Sequence, residues 1–428
     1  MTELNRLTAV EAARMIASGE ISSEELVRAC LARIREREEL VGAWEYLNEE
    51  LALAAARASD AAETKSALHG VPFGIKDVID TADMPTQRGT PIHAGRRPKR
   101  DATCVAEMRK AGAVALGKTV TTEYAVYHPN KTRNPLNPEH TPGGSSSGSA
   151  AAVADFMVPI AFANQTAGSL IRPSAYCGIA GFKPTQGVLD LAGILPMEAT
   201  FDTLGYMARS FDDIVAFHEI VSGTKQEAKA EPDRAPRIGL CRTYQWSHAE
   251  PATVQAMDKA AKELAALGAE VGEVTLPSGF ADLPDTHTTM LQVGLSRNLA
   301  EDYASQKNRM SDVLRAYLEK GMTCPPEKYQ SALAHADECR REVDSAFGRW
   351  DVFLTPSVTG EAPRGIAATG SPIFQVMWTL LNVPIATIPG SLGPTGLPVG
   401  VQFVGRRGDD LKVLTLANWF HKRRSRTA

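Results

Sequence analysis

The chain has no CxxC pair. Its 6 cysteines, Cys30, Cys104, Cys177, Cys241, Cys324 and Cys339, are scattered. That spacing argues against a zinc site and against a disulfide framework. None of its 9 histidines falls in an HExxH pattern, so no metal ligand and no cofactor is expected. Positive charge is not in excess. The formal net charge is −4, which offers no electrostatic footprint for nucleic acid or an anionic membrane. A long apolar run is also missing. The best stretch, Val153 to Ala163, is broken by Asp155 and Pro159, so no membrane span is expected. The opening MTELNRLTAV carries neither the basic segment nor the apolar core of a secretory signal. A cytoplasmic location is expected, as monomer or homodimer. The one basic run, HKRRSR from His421 to Arg426, reads as a solvated helix end, where cations suit the dipole.

What is present suits a large folded domain. The 428 residues are 43% hydrophobic and 22% charged, close to ordinary globular composition. ISSEELVRACLARIRE begins with a capping box, Ser22 to Glu25, ahead of an apolar stripe. GVPFGIKDVID reads as a buried strand. RDATCVAEMRKAGAVALGKT reads as helix, glycine stop and strand, the alternation of a layered α/β fold. VPIAFA, RIGLCRTY, EVTLP, DVFLTPS, PIATIPGS and VGVQFVG read as further strands. Residues 223–236 read as a polar surface connection and 280–350 as mostly helical. NQTAGSLIRPSAYCGIAGFKPT reads as a second Gly/Ser/Pro-rich loop.

The stretch HTPGGSSSGSAAAVA, residues 140–154, admits four readings. A flexible linker is rarely wedged between apolar segments. A phosphate loop needs Lys and Ser/Thr after the second glycine, where Ser149 and Ala150 stand. A nucleophile elbow on GSSSG would use Ser146, but proline-broken loop rather than a strand precedes it. The fourth reading joins the stretch to two distant residues. Lys76 sits in a buried strand, where a charged amine is costly and burial lowers its pKa. A neutral lysine is a base able to activate serine hydroxyls. Ser145 lies in GGSSSG and Ser169 in QTAGSLIRP. Taken singly, a buried lysine is more often half of an ion pair, with Asp77 the nearest acid in sequence, and a loop serine more often a cap.

TPGGSSSGSAAAVADFMVPIAFANQTAGSLIRPSAYCGIAGFKPTQGVL, with GVPFGIKDVIDT, AGAVALGKTVTTEYA, MARSFDDI, DVFLTPS and GLPVGVQFVGR in the same order, resembles the amidase signature family of serine hydrolases. The resemblance covers nearly the whole chain, least clearly residues 225–345. It implies an α/β fold as one large domain, 1–428, with a central mixed sheet covered by helices on both faces. Within it 1–65 supplies N-terminal helices, 66–222 the catalytic core, 223–350 a mainly helical region and 351–428 the rest of the core. It implies a triad of Lys76, Ser145 (after a cis peptide bond) and the nucleophile Ser169. Backbone N–H groups of Thr166, Ala167, Gly168 and Ser169 form the implied oxyanion hole. Gly144 and Tyr127 are candidate substrate-binding residues. Ser146, Ser147 and Ser149 remain loop and capping hydroxyls, and Cys177 a buried thiol.

The family's common DTGGSIR is here QTAGSLIRP, with Gln165 for Asp, Ala167 for Gly and the arginine displaced to Arg172. These departures resemble the stand-alone amidases, including urethane-cleaving ones, more than the catalytic component of the tRNA amidotransferase. The expected activity is cleavage of C–N bonds in small amides or carbamates through an acyl-enzyme, with ester cleavage as a side activity. The alternatives are an amidohydrolase of ureido compounds (carboxybiuret or allophanate type) and a partner-dependent amidotransferase subunit.

Overall fold

A computed structural model describes residues 3–62, 66–224 and 231–425. Eleven strands form one sheet among these residues. In chain order they are β1 (Trp44–Leu47), β2 (Pro72–Lys76), β3 (Val114–Thr119), β4 (Ile160–Gln165), β5 (Ala180–Lys183), β6 (Thr203–Ala208), β7 (Arg237–Leu240), β8 (Glu270–Glu273), β9 (Val352–Pro356), β10 (Ile385–Leu392) and β11 (Pro398–Val404). Their order across the sheet is β1-β3-β2-β4-β6-β5-β10-β11-β9-β7-β8. β2 runs parallel to β3 and β4, and β7 parallel to β8 and β9; the remaining pairs are antiparallel. The sheet is therefore mixed, within one α/β domain. Every residue of β2, β3, β4, β6, β9 and β11 is buried. Strands of this kind are continuous apolar runs because helices cover both faces.

Local signals set the ends of several helices. Ser22 and Glu25 make the reciprocal capping box of the helix Ser23–Val41, and Gly42 closes it in the left-handed region at φ 62°. The helix Ser147–Ala154 has a different logic. Its sequence, SGSAAAVA, holds no side chain larger than valine, and only Ala154 escapes full burial. Small residues let it sit directly on the sheet. A Cβ on Gly148 would lie 2.2 Å from the Ala43 carbonyl oxygen and 2.3 Å from the Val120 nitrogen, so only glycine fits there.

The structure corrects several readings of the sequence. Ser146 stands at the N-cap but makes no side-chain cap. Its hydroxyl and those of Ser147 and Ser149 reach the carbonyls of Asn164, Val120 and Phe162. These serines pin the helix to the sheet because the helix is packed too tightly for water to serve them. The stretch 164–185 is not all loop. It contains the helix Ile171–Tyr176 and β5, because its apolar residues Leu170, Ile171 and Phe182 are buried between sheet and helices. The strand expected at EVTLP lies earlier, at β8, where pairing with β7 begins directly after the turn at Gly268. The basic run is also less solvated than expected: Lys422 pairs with Asp212, Arg423 with Glu231 and Arg424 with Glu263. Arg426 and residues 225–230 of the polar connection lie outside the described residues. Among those described, no helix is long and apolar enough to cross a membrane.

Candidate active site

Three parallel strands, β3, β2 and β4, end side by side, and the loops beyond their carboxyl ends build the site, as is general for parallel sheets. Lys76 is the last residue of β2 and is fully buried. Its Nζ is in hydrogen-bond contact with Ser145 Oγ at 2.7 Å and donates to Asn164 Oδ1 at 2.6 Å. The sequence neighbour Asp77 turns away and pairs with Lys118 at 3.4 Å, so Lys76 is not half of an ion pair among the described residues. Burial holds the Lys76 amine well below the usual ammonium range, and the nearby Arg172 charge adds to this, against a weaker opposing effect of Asp202. Lys76 is therefore an amine biased toward its neutral form and in contact with a serine hydroxyl.

Ser145 follows a cis Gly144–Ser145 peptide. The Gly144 carbonyl accepts a bond from Arg172 Nη2 at 2.7 Å, and the Ser145 carbonyl accepts one from Thr122 N at 3.3 Å. Ser169 sits on the loop after β4, and its carbonyl accepts a bond from Ser146 N at 3.1 Å, tying the two serine loops together. Exposure rises along the series: Lys76 0%, Ser145 3%, Ser169 9%. Ser145 and Ser169 both line a narrow cavity, walled mostly by Ala125, Val126, Tyr127, Met197, Leu291 and Pro372. A larger surface cleft, around Glu45, His128 and Arg309, contains none of these three residues.

The loop between β4 and the helix Ile171–Tyr176 is fastened from behind. Gln165 Oε1 accepts the N–H groups of Leu170 and Ile171, each at 3.0 Å, while its Nε2 donates to Thr379 Oγ1 at 2.9 Å. Thr379 Oγ1 donates to the Ala167 carbonyl at 2.7 Å, and His287 Nε2 to the Thr166 carbonyl at 2.7 Å. Thr166 Oγ1 donates to Asp202 Oδ1 at 2.6 Å. Burial pushes the Asp202 carboxyl up to about 7, against the bonds it accepts. Among the described residues, the N–H groups of Ala167, Gly168 and Ser169 have no partner within the chain. A Cβ on Gly168 would come within 2.7 Å of Gln375 Oε1 and 2.9 Å of Pro372 Cβ, so this loop tolerates no bulk.

Residues 25–414 match the family described as Amidase.

This chain belongs to the Amidase family.

It is 32% identical to one component of the glutamyl-tRNA(Gln) amidotransferase of Chloroflexus aggregans, its A-type polypeptide, over 99% of this chain and 97% of that protein. It is 33% identical to the polypeptide of the same name from Roseiflexus castenholzii, over 99% and 96%. Among solved structures, a protein described as an amidase superposes with a TM-score of 0.90 at 28% identity, over 97% of this chain and all of that one. A peptide amidase bound to the competitive inhibitor chymostatin gives 0.85 at 28% identity, over 98% of each. The fold is that of amidase-signature serine hydrolases, and amide hydrolysis is the chemistry of the family.

Within this amidase-family chain the structure brings Lys76 and Ser145 into contact and lines one cavity with Ser145, Ser169 and Tyr127. Tyr127 packs against Tyr317, with ring centroids 5.7 Å apart. Gly144 does not line the cavity: its carbonyl is taken by Arg172, and a Cβ there would press on Thr369 at 2.7 Å. Ser146 is fully buried beneath the loop, which removes the elbow reading. Cys177 is a buried thiol whose Sγ faces the Pro142 carbonyl. The sequence alone did not single out Asn164, Asp202, His287 or Thr379. Their only signal is polarity in apolar surroundings, which many core residues share. His287 and Leu291 lie on the helix Leu283–Asn298, so the part of the chain least like the family supplies a wall of the site.

Proposed function

We propose that this amidase-family chain cleaves the C–N bond of small-molecule amides or carbamates through an acyl-enzyme on Ser169. Neutral Lys76 takes the proton of Ser145, which takes that of Ser169, and Ser169 Oγ attacks the carbonyl carbon. The developing oxyanion is held by the N–H groups of Ala167, Gly168 and Ser169, joined by that of Thr166. Ser145 passes the proton to the leaving nitrogen as the C–N bond breaks, and water then hydrolyses the ester on Ser169. The observation that carries this reading is the 2.7 Å contact between a fully buried, acid-free Lys76 amine and Ser145 Oγ.

The test is Ser169→Ala assayed on a nitroanilide amide and a nitroanilide urethane. Activity is expected to be lost on whichever the wild type cleaves, and retained activity would overturn the assignment. The full-length similarity to amidotransferase components favours a second reading, in which the chain acts only within a complex. Hydrolysis by the purified chain alone decides between the two.

A further inference from the structure

Among the described residues, the N–H groups of Ala167, Gly168 and Ser169 have no partner, and something must keep them facing the cavity. A peptide unit is planar and trans, so its carbonyl and the next residue's N–H point in opposite directions. Holding the oxygen on one side therefore aims the nitrogen to the other. The Thr166 oxygen is held by His287 Nε2 and the Ala167 oxygen by Thr379 Oγ1, each at 2.7 Å. The first bond aims the Ala167 N–H and the second the Gly168 N–H. The two donors come from separate helices, Leu283–Asn298 and Ile373–Leu380.

We infer that His287 and Thr379 are positioning residues which set the oxyanion-binding geometry by holding the Thr166 and Ala167 carbonyls from behind. This inference rests on the proposed role of the loop. His287 is 1% exposed, with its ring 4.8 Å from that of Phe201. Burial keeps it neutral, pulled down to about 4, against the pull of the Thr166 carbonyl. In a neutral imidazole the nitrogen facing a carbonyl carries the proton, so Nε2 is the donor and the tautomer is fixed. Thr379 is fully buried and is oriented by Gln165, whose Nε2 bonds its hydroxyl. Gln165 also takes the N–H groups of Leu170 and Ile171, so the loop is braced at both ends. Neither His287 nor Thr379 lines the cavity. Their effect on the reaction passes wholly through the loop backbone.

The decisive experiment compares His287→Phe, which keeps a ring against Phe201 but has no donor, with His287→Gln, which places an amide N–H near the same spot. Thr379→Val and Thr379→Ser form the matching pair. Each is assayed on the nitroanilide the wild type cleaves, with the melting temperature and the rate of inactivation by a fluorophosphonate measured alongside. In His287→Phe and Thr379→Val, kcat is expected to fall about tenfold to a hundredfold, with KM changed far less. Fluorophosphonate inactivation slows in parallel, because its phosphoryl oxygen uses the same donors. The midpoint of the pH–rate profile stays put, since Lys76 is untouched. The Gln and Ser variants recover most of the loss. Folded Phe and Val variants with kcat within twofold of wild type would overturn the inference, as would Gln and Ser variants as slow as their donorless partners. If His287→Phe does not fold, the Thr379 pair decides. Active Ser169→Ala would instead sink the proposed function, and Ser169→Ala is scored separately.

Discussion

Replacing Arg172 by methionine tests the electrostatics of Lys76 directly. Arg172 is 3% exposed, and its Nε and Nη1 have no hydrogen-bond partner among the described residues. Its charge disfavours a proton on Lys76. Without it the Lys76 pKa rises, so the rise of kcat/KM with pH is expected to move to higher pH. The maximal rate also falls, because the Gly144 carbonyl loses its donor. A profile whose midpoint does not move would show that burial alone sets the lysine. At this scale Lys76, Ser145 and Ser169 stood out in the sequence only through the family resemblance, since each taken singly reads as an ion-pair lysine or a capping serine. Asn164 and Asp202 did not, since each acts on a group far away in sequence and close only in space.

At the scale of elements, the helix Ser147–Ala154 and the strands it covers make the sharpest case. Gly148→Ala places a methyl against the Ala43 and Val120 backbones, where no flexible side chain can yield. Overpacking of this kind typically costs about 1–3 kcal/mol, and urea denaturation is expected to show a loss of at least that size. Unchanged stability would mean the helix can lift from the sheet. The long strands were legible because burial on both faces demands unbroken apolar runs, as in β4 and β11. β1 and β5, of 4 residues each, and β6, of 6 residues, were missed: pairing partners elsewhere in the chain decide them. The hydroxyls of Ser146, Ser147 and Ser149 were read as caps because capping is local, whereas their real acceptors lie on neighbouring segments.

At the scale of the molecule, three buried lysines give stability a pH dependence. Burial lowers Lys76 well below 10.5, Lys118 to about 8 and Lys183 to about 7. Between the folded pKa and 10.5 the unfolded chain binds more protons, so stability rises with pH through that window. Unfolding free energy is expected to increase from pH 7 to pH 10 by these groups. Above pH 10 the buried tyrosines, Tyr206 among them, are held protonated by the fold and reverse the slope. Lys183→Met is expected to flatten the rise between pH 7 and 10 in urea titrations, and a slope equal to wild type would show that Lys183 keeps its proton when folded.

The sequence by itself determined the layered α/β class and the buried strand that holds Lys76, because apolar runs and glycine stops act over a few residues. Only the tertiary structure decided that Asp77 pairs with Lys118 while Lys76 meets no carboxylate among the described residues, that Ser145 is the hydroxyl Lys76 meets, and that His287 and Thr379 hold the loop from behind. Those choices depend on how a mixed sheet of eleven strands brings together segments distant in sequence, 69 residues apart for Lys76 and Ser145 and 212 for Ala167 and Thr379. Hydrogen-bond and burial energies act across that space, and no local pattern records them.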